Sequence, residues 1–147
     1  MLLTGTFRRA LDAKQRIAVP KRLRGSFDAT ERAALFIAPG TDGSLALYTE
    51  EAFSELGSKL AATSPNGQDV RAFSRLFYSQ AQRVELDGQG RFRIPEELCQ
   101  LAGLAKEVIL VGVGDRLEIW DPEQWVRYLS DKRKEYDTIA ERAFMTE

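Results

Sequence analysis

No histidine occurs among the 147 residues. That removes Ser-His-Asp and Cys-His catalysis and the commonest ligand of zinc and iron sites. The single cysteine, Cys99, has no partner for an internal disulfide. It follows Leu98 in an apolar helical turn and reads as a small core or interface residue. No Walker loop and no Gly-x-Gly-x-x-Gly run is present, so the usual backbone cradle for nucleotide phosphates is missing. No apolar run approaches the ~20 residues of a membrane helix, and Met1 to Thr6 is too short and polar for a signal peptide. Carboxylates and magnesium could still support chemistry, but no nucleophile or cleft signature accompanies them. The expectation is a cytoplasmic protein that is not an enzyme, with no cofactor, no metal and no membrane contact.

What is present points to a globular protein. Hydrophobic residues make up 44% and charged residues 29%, a balance that supports a packed core rather than disorder. The length suits one domain or two small halves sharing a core. The net charge of −1 conceals an asymmetry. Residues 1–25 carry seven basic groups (Arg8, Arg9, Lys14, Arg16, Lys21, Arg22, Arg24) against Asp12, a net of +6. The remainder holds 14 basic and 21 acidic residues, a net of −7. A basic segment on an acidic body suggests a local anionic partner, the bland alternative being a solvated face.

The chain contains one unit twice. Leu11, Asp12, Arg16, Pro20 and Leu23 recur 75 residues on as Leu86, Asp87, Arg91, Pro95 and Leu98. Ile17 and Val19 match Phe92 and Ile94 in kind. The register then slips by three: Leu45-Ala46-Leu47-Tyr48 answers Leu117-Glu118-Ile119-Trp120, and Glu51 and Phe53 answer Glu123 and Trp125. The slip falls where Pro39 to Gly43 shortens to Gly112 to Asp115.

Each copy reads as strand, turn, strand, short helix, hairpin and helix, an α+β pattern. Strands are expected at Phe7–Leu11, Arg16–Val19, Arg83–Leu86 and Arg91–Ile94, with Asp12 and Asp87 opening the turns between them. Pro20 and Pro95 end strands and suit the first turn of the helices Lys21–Phe27 and Glu96–Leu101. Hairpins follow at Ala34–Ala38 with Leu45–Tyr48, and at Val108–Val111 with Leu117–Trp120. Thr49 and Asp121 stand as helix caps. Between the copies, helices at Ser54–Ala61 and Asp69–Gln80 are separated by Thr63 to Gly67; Val70, Phe73, Leu76 and Phe77 would make one buried face. A single long helix from Pro122 to about Met145 carries Trp125, Tyr128, Leu129, Tyr136, Ile139 and Phe144, which pack either on the chain's own core or against another subunit. The expected division is 5–52 for the first half, 53–80 for a helical connector, 81–124 for the second half and 125–147 for the C-terminal helix.

The paired segments Leu11 to Pro20 and Leu86 to Pro95 resemble the two Asp-x-x-x-Arg motifs of the MraZ family, and the likeness covers nearly the whole chain. The resemblance implies bacterial transcriptional regulators built from two tandem AbrB-like β-rich halves, interlocked as a swapped-hairpin barrel with peripheral helices. It implies assembly into rings, octamers or dodecamers, that bind direct repeats in double-stranded DNA upstream of their own operon, the division and cell wall cluster. A nucleoid-associated protein is then expected. The implied DNA contacts fall on Lys14 and Arg16, with Arg8 beside them. The family usually has glycine where Gln15 stands; the second copy keeps Gly90. Gln15 can itself contact a base or phosphate.

Lys and Arg contacts to phosphate release counterions, and arginine's fork fits the guanine edge. A two-stranded ribbon fits the major groove. The expected DNA-contacting set is Arg8, Lys14, Gln15, Arg16 and Arg91. Asp12 and Asp87 are expected to structure the turns, since a bare carboxylate repels phosphate. For Arg16 and Arg91 the alternative is a salt bridge alone, and it weighs more for Arg91. Gln89, Glu96 and Glu97 stand where copy one has Lys14, Lys21 and Arg22, so copy one is expected to be the main DNA surface. Tyr48, Trp120 and Trp125 read as core rather than base-stacking platforms. The competing function is an AbrB-like antitoxin or a protein–protein adaptor whose basic N-terminus meets an acidic partner; two units and a long terminal helix argue against the antitoxin.

Overall fold

A computed structural model describes residues 2–27, 34–63 and 67–145. The strands are β1 (Leu3–Ala10), β2 (Arg16–Ala18), β3 (Ala34–Pro39), β4 (Leu45–Thr49), β5 (Gln82–Glu85), β6 (Arg91–Arg93), β7 (Glu107–Gly114) and β8 (Leu117–Trp120). The helices are α1 (Lys21–Phe27), α2 (Glu50–Ala62), α3 (Gln68–Gln80), α4 (Glu96–Ala102), α5 (Pro122–Arg133) and α6 (Tyr136–Met145). Every strand and helix expected from the doubled pattern is present, apart from the single terminal helix. Residues 64–66, part of the expected break between the central helices, lie outside the described residues. Among the described residues no helix is long and apolar enough to cross a membrane.

The local rules act as read. Thr49 accepts the Ala52 N–H at 3.1 Å and Asp121 the Gln124 N–H at 3.1 Å, each satisfying a donor that the first helical turn leaves open. Pro20 and Pro95 stand just ahead of α1 and α4, their carbonyls accepting the N–H groups of Leu23 and Leu98 at 2.9 and 3.0 Å.

The strands of the two copies are exchanged. The larger sheet runs β1-β7-β8-β4-β3-β5, and β2 pairs with β6 in a separate ribbon. The first strand of copy one therefore lies against the hairpin of copy two, and β5 of copy two against the hairpin of copy one. All pairings are antiparallel. The register exposes an approximate two-fold axis. Ile17 pairs with Phe92, its own counterpart, and Ala46 pairs with Glu118, likewise its counterpart. The dyad thus passes between β2 and β6 and between β4 and β8.

The main core lies along this axis, with Ile17, Val19, Leu45, Leu47, Phe92, Ile94, Leu117 and Ile119 all buried. Period-two alternation sends Ile17 and Phe92 inward and Arg16, Ala18, Arg91 and Arg93 outward. Cys99 is buried, as a small core residue should be. Tyr48 joins a satellite cluster with Phe53 and Phe77, and Trp120 joins another with Trp125 and Tyr128.

Two expectations are corrected. The terminal helix is not single: the chain turns at Lys134 and Glu135, where Glu135 N–H bonds the Lys132 carbonyl at 3.0 Å. No glycine or proline marks that break. Trp125 and Tyr128 anchor α5 to Trp120, whereas Tyr136 (71% exposed) and Phe144 (91%) on α6 touch no core. Nor is the α3 face wholly covered: Phe77 is buried, but Phe73 is 43% and Leu76 63% exposed. The apolar face is present, yet only part of it is covered among the described residues.

Since Phe92 fills the dyad, Phe92→Ala is expected to lower stability by about 3–5 kcal/mol in urea denaturation. A cost below about 1 kcal/mol would mean that this contact does not organise the core.

Candidate nucleic-acid interface

Asp12 and Asp87 build two superimposable turns. Asp12 Oδ1 accepts the N–H groups of Lys14 and Arg16 at 2.9 and 2.8 Å, and Asp12 Oδ2 accepts Arg16 Nε at 2.8 Å. Asp87 Oδ1 accepts the N–H groups of Gln89 and Arg91 at 2.9 Å each, and Asp87 Oδ2 accepts Arg91 Nε at 2.9 Å. Each carboxylate thus closes the turn through two backbone donors and aims one arginine. Among the described residues the two Nη groups of each guanidinium make no hydrogen bond, so salt bridge and outward contact are compatible at both arginines.

These bonds set the carboxyl pKa values. At Asp12 the Arg16 N–H is the main cause, helped by the guanidinium and the Lys14 N–H, and the carboxyl titrates below its usual range. At Asp87 partial burial is the largest influence and pushes upward. The N–H groups of Arg91 and Gln89 and the Arg91 guanidinium together outweigh it, so the net direction is again down.

Each turn is locked to the other copy. Val19 N–H donates to the Gly90 carbonyl and Ile94 N–H to the Gln15 carbonyl, both at 2.9 Å. Gln15 takes φ 62° and Gly90 φ 75°, so glutamine adopts the left-handed conformation that glycine enters freely. The neighbours explain why one turn accepts a side chain. A Cβ on Gly90 would lie 2.3 Å from Arg24 Nε, which donates to the Val19 carbonyl at 3.0 Å. The dyad-related place is held by Cys99, whose thiol points at the Ile94 carbonyl at 3.9 Å. Cysteine is short where arginine is long, which leaves room at Gln15.

The exchange also redistributes charge. Helix α1, with Lys21 and Arg24, begins beside the Gly90 carbonyl and so flanks the second turn. Helix α4, with Glu96 and Glu97, begins beside the Gln15 carbonyl and flanks the first. The contrast between copies expected from the sequence therefore does not become a basic side and an acidic side; each end of the ribbon mixes residues of both copies. The two turns sit at opposite ends of the ribbon, four residues of strand apart, roughly 13 Å at 3.3 Å per residue.

The expected residues fall as follows. Lys14 is exposed at the tip of the first turn and Gln15 is half-buried beside it. Arg16 and Arg91 lie on the outer face of the ribbon. Arg8 lies apart on β1, ion-paired to Glu107 of β7. Sequence reading passed over Phe7, whose ring lies 4.8 Å from the Arg22 guanidinium carbon and 5.7 Å from that of Arg9, holding two cations near β1. It also passed over Arg93, directly opposite Arg16.

Two outcomes test this geometry. A carboxyl whose pKa is lower in the folded state contributes stability above its unfolded value and loses it as pH falls through the folded value. Melting curves between pH 6 and about 2 should therefore show a larger acid loss for the wild type than for the Asp12→Asn/Asp87→Asn double variant; equal losses would remove the turns from the acid response. Gln15→Gly should raise stability by about 1 kcal/mol through relief of the left-handed backbone, whereas Gly90→Ala should lower it by displacing Arg24. Chemical denaturation reads both, and a stabilised Gly90→Ala would contradict the packing described.

Comparison with known proteins gives a consistent result. The family model described as "MraZ protein, putative antitoxin-like" matches twice, over residues 2–76 and 77–146. The chain is 39% identical over 141 residues to the "Transcriptional regulator MraZ" of Alkaliphilus metalliredigens and 36% identical over 141 residues to that of Acetivibrio thermocellus, covering 96% of both chains in each case. The protein of the same name from Mesoplasma florum is 33% identical over 144 residues, covering 98% of this chain and 97% of that one. Among solved structures, a solution structure of a Pyrococcus horikoshii protein matches at 12% identity with a TM-score of 0.37, covering 78% of this chain and 94% of that one, a likeness too slight to build on. The double match along the chain and the near-complete coverage of these relatives place the chain in the MraZ family.

Proposed function

We propose that this protein is a sequence-specific transcriptional regulator that binds double-stranded DNA through the β2–β6 ribbon and its two Asp-Arg turns. The observation that carries the reading is the pair of arginines, Arg16 and Arg91, each held by an aspartate through Nε, with no hydrogen bond from the Nη groups among the described residues. A guanidinium already fixed in place loses little freedom on meeting a phosphate or a guanine edge. Lys14 and Gln15 extend one end of the ribbon and Lys21 and Arg24 the other, while Arg8, apart on β1 and paired to Glu107, adds a further contact. The relatives' shared name, transcriptional regulator, agrees with this use.

The finer reading follows the family resemblance. The protein acts in the cytoplasm on the nucleoid, controlling its own operon in the division and cell wall cluster through short upstream direct repeats. Residues 5–52 and 81–124 form the two halves of a swapped-hairpin barrel, with 53–80 as connector and 125–147 serving assembly. The strand exchange between copies supports the barrel. Ring assembly, octameric or dodecameric, is supported by the apolar side chains that one chain leaves open: Phe73 and Leu76 on α3, Val126 on α5, and Tyr136 and Phe144 on α6. A ring multiplies one modest ribbon contact per subunit by engaging several repeats at once.

The test is a gel-shift titration on the duplex just upstream of the gene, at two salt concentrations. Wild-type binding is expected to weaken steeply with salt, the logarithm of the affinity falling by about 0.9 per phosphate contact for each unit of log salt. Arg16→Ala is expected to abolish operator binding while circular dichroism and sedimentation leave fold and assembly unchanged. Undiminished binding by that variant would sink the assignment. Arg91→Ala is expected to weaken binding too, now by a comparable amount because Lys21 and Arg24 flank its turn.

A further inference from the structure

Arg93 stands out on the ribbon. It lies directly across from Arg16 on the outward face, where like charges directly opposite each other destabilise an antiparallel pair. Its dyad counterpart is Ala18, in the same backbone position on β2 and also facing outward. The fold thus builds this site with alanine in one copy and arginine in the other. Arg16 and Arg91 are each tied to an aspartate, but Arg93 is exposed and makes no hydrogen bond or ion pair among the described residues. Glu96 and Glu97 line the same shallow cleft as Arg93, together with Gln82 and Val84, and neither pairs with it. An arginine that the fold does not require, set against a like charge and left without a partner, is placed for an anion outside the chain.

We propose that Arg93 is a phosphate clamp: a DNA-backbone contact that copy two contributes to the end of the ribbon formed by the copy-one turn. This rests on the DNA-binding reading of the ribbon. The clamp differs in kind from its neighbours. Arg16 and Arg91 are oriented by their aspartates toward one direction, whereas a free guanidinium can follow a phosphate along any sequence and carries no base information. It also breaks the dyad. Without it the outward strand faces of the ribbon would present the same residues in both directions; with it, one end grips the backbone more strongly, and the ribbon lies on DNA in a single polarity. A polar reader suits sites repeated head to tail rather than palindromes, whose symmetry mirrors that of a two-fold protein.

The experiment compares wild type, Arg93→Ala and Arg93→Lys on two duplexes, the upstream fragment and a scrambled duplex of the same length, across a salt series. Arg93→Ala is expected to weaken binding to both duplexes by the same factor. Its salt slope should be shallower by about 0.9 for each engaged subunit. Arg93→Lys is expected to retain affinity and slope. Thermal melting of Arg93→Ala should equal or exceed the wild type, since removing the charge opposite Arg16 relieves a repulsion. Wild-type protein that fails to bind either duplex would overturn the ribbon reading and the clamp with it. Wild-type binding with an unchanged Arg93→Ala affinity and slope would overturn the clamp alone. So would a loss confined to one base position at unchanged slope, which would mark a base contact instead.

Discussion

Two backbone hydrogen bonds lock the ribbon and its turns across the copies: Val19 N–H to the Gly90 carbonyl and Ile94 N–H to the Gln15 carbonyl. Each runs from a strand of one copy to the turn of the other. In each the turn residue that accepts the bond is in the left-handed conformation. The aspartate that opens the turn maintains that conformation by accepting two N–H groups at once. The same carboxylate orients the arginine. Turn geometry, inter-copy locking and arginine placement therefore share one cause, the carboxylate of Asp12 or Asp87.

The ribbon is small, three residues per strand, and would be marginal if isolated. It persists because Ile17 and Phe92 reach into the core from its inner face while the turns pin both ends. Burial beneath and hydrogen bonding at the ends hold the ribbon, and its outer face carries three arginines, two of them bonded to the turn aspartates through Nε. Of the acidic groups in the same region, Asp12 and Asp87 are consumed by the turns, while Glu96 and Glu97 open α4 beside the first turn. Cations are thus concentrated outward on a protein whose net charge is close to zero.

Much of this was legible in the residues. Recurrence of Asp, Arg and Pro at a constant spacing disclosed the duplication, and turn and cap chemistry located the short helices and hairpins closely. Partners were not legible. Period-two alternation states which face of a strand is buried but says nothing of which strand lies beside it, so the exchange of β1 and β5 between copies could not be read from pattern. The charge asymmetry was real, but its spatial meaning depended on that exchange: Arg24 belongs to copy one by sequence and to the second turn by contact. Arg93 escaped notice for the same reason, since only the register places it opposite Arg16. The turn at Lys134 and Glu135 carries no breaker residue and arises where the helix runs beyond its aromatic anchors. At Phe73 and Leu76 the helical periodicity identified an apolar face correctly, while burial depends on neighbours that periodicity does not reveal.

Fusion of the two units has a consequence for how such a chain changes over generations. In a dimer of identical units every substitution is made twice, once on each side of the axis, and must suit both. Here each side mutates by itself. The pocket beside Gly90 has taken a long cation, Arg24, and its mirror beside Gln15 a short thiol, Cys99. A swap at Gly90 bears on Arg24, its contact across the axis, and not on its counterpart Gln15. The inherited units are thus free to diverge in pairs that straddle the axis, as 24 does with 90, while the residues on the axis itself, Ile17 and Phe92, remain answerable to each other.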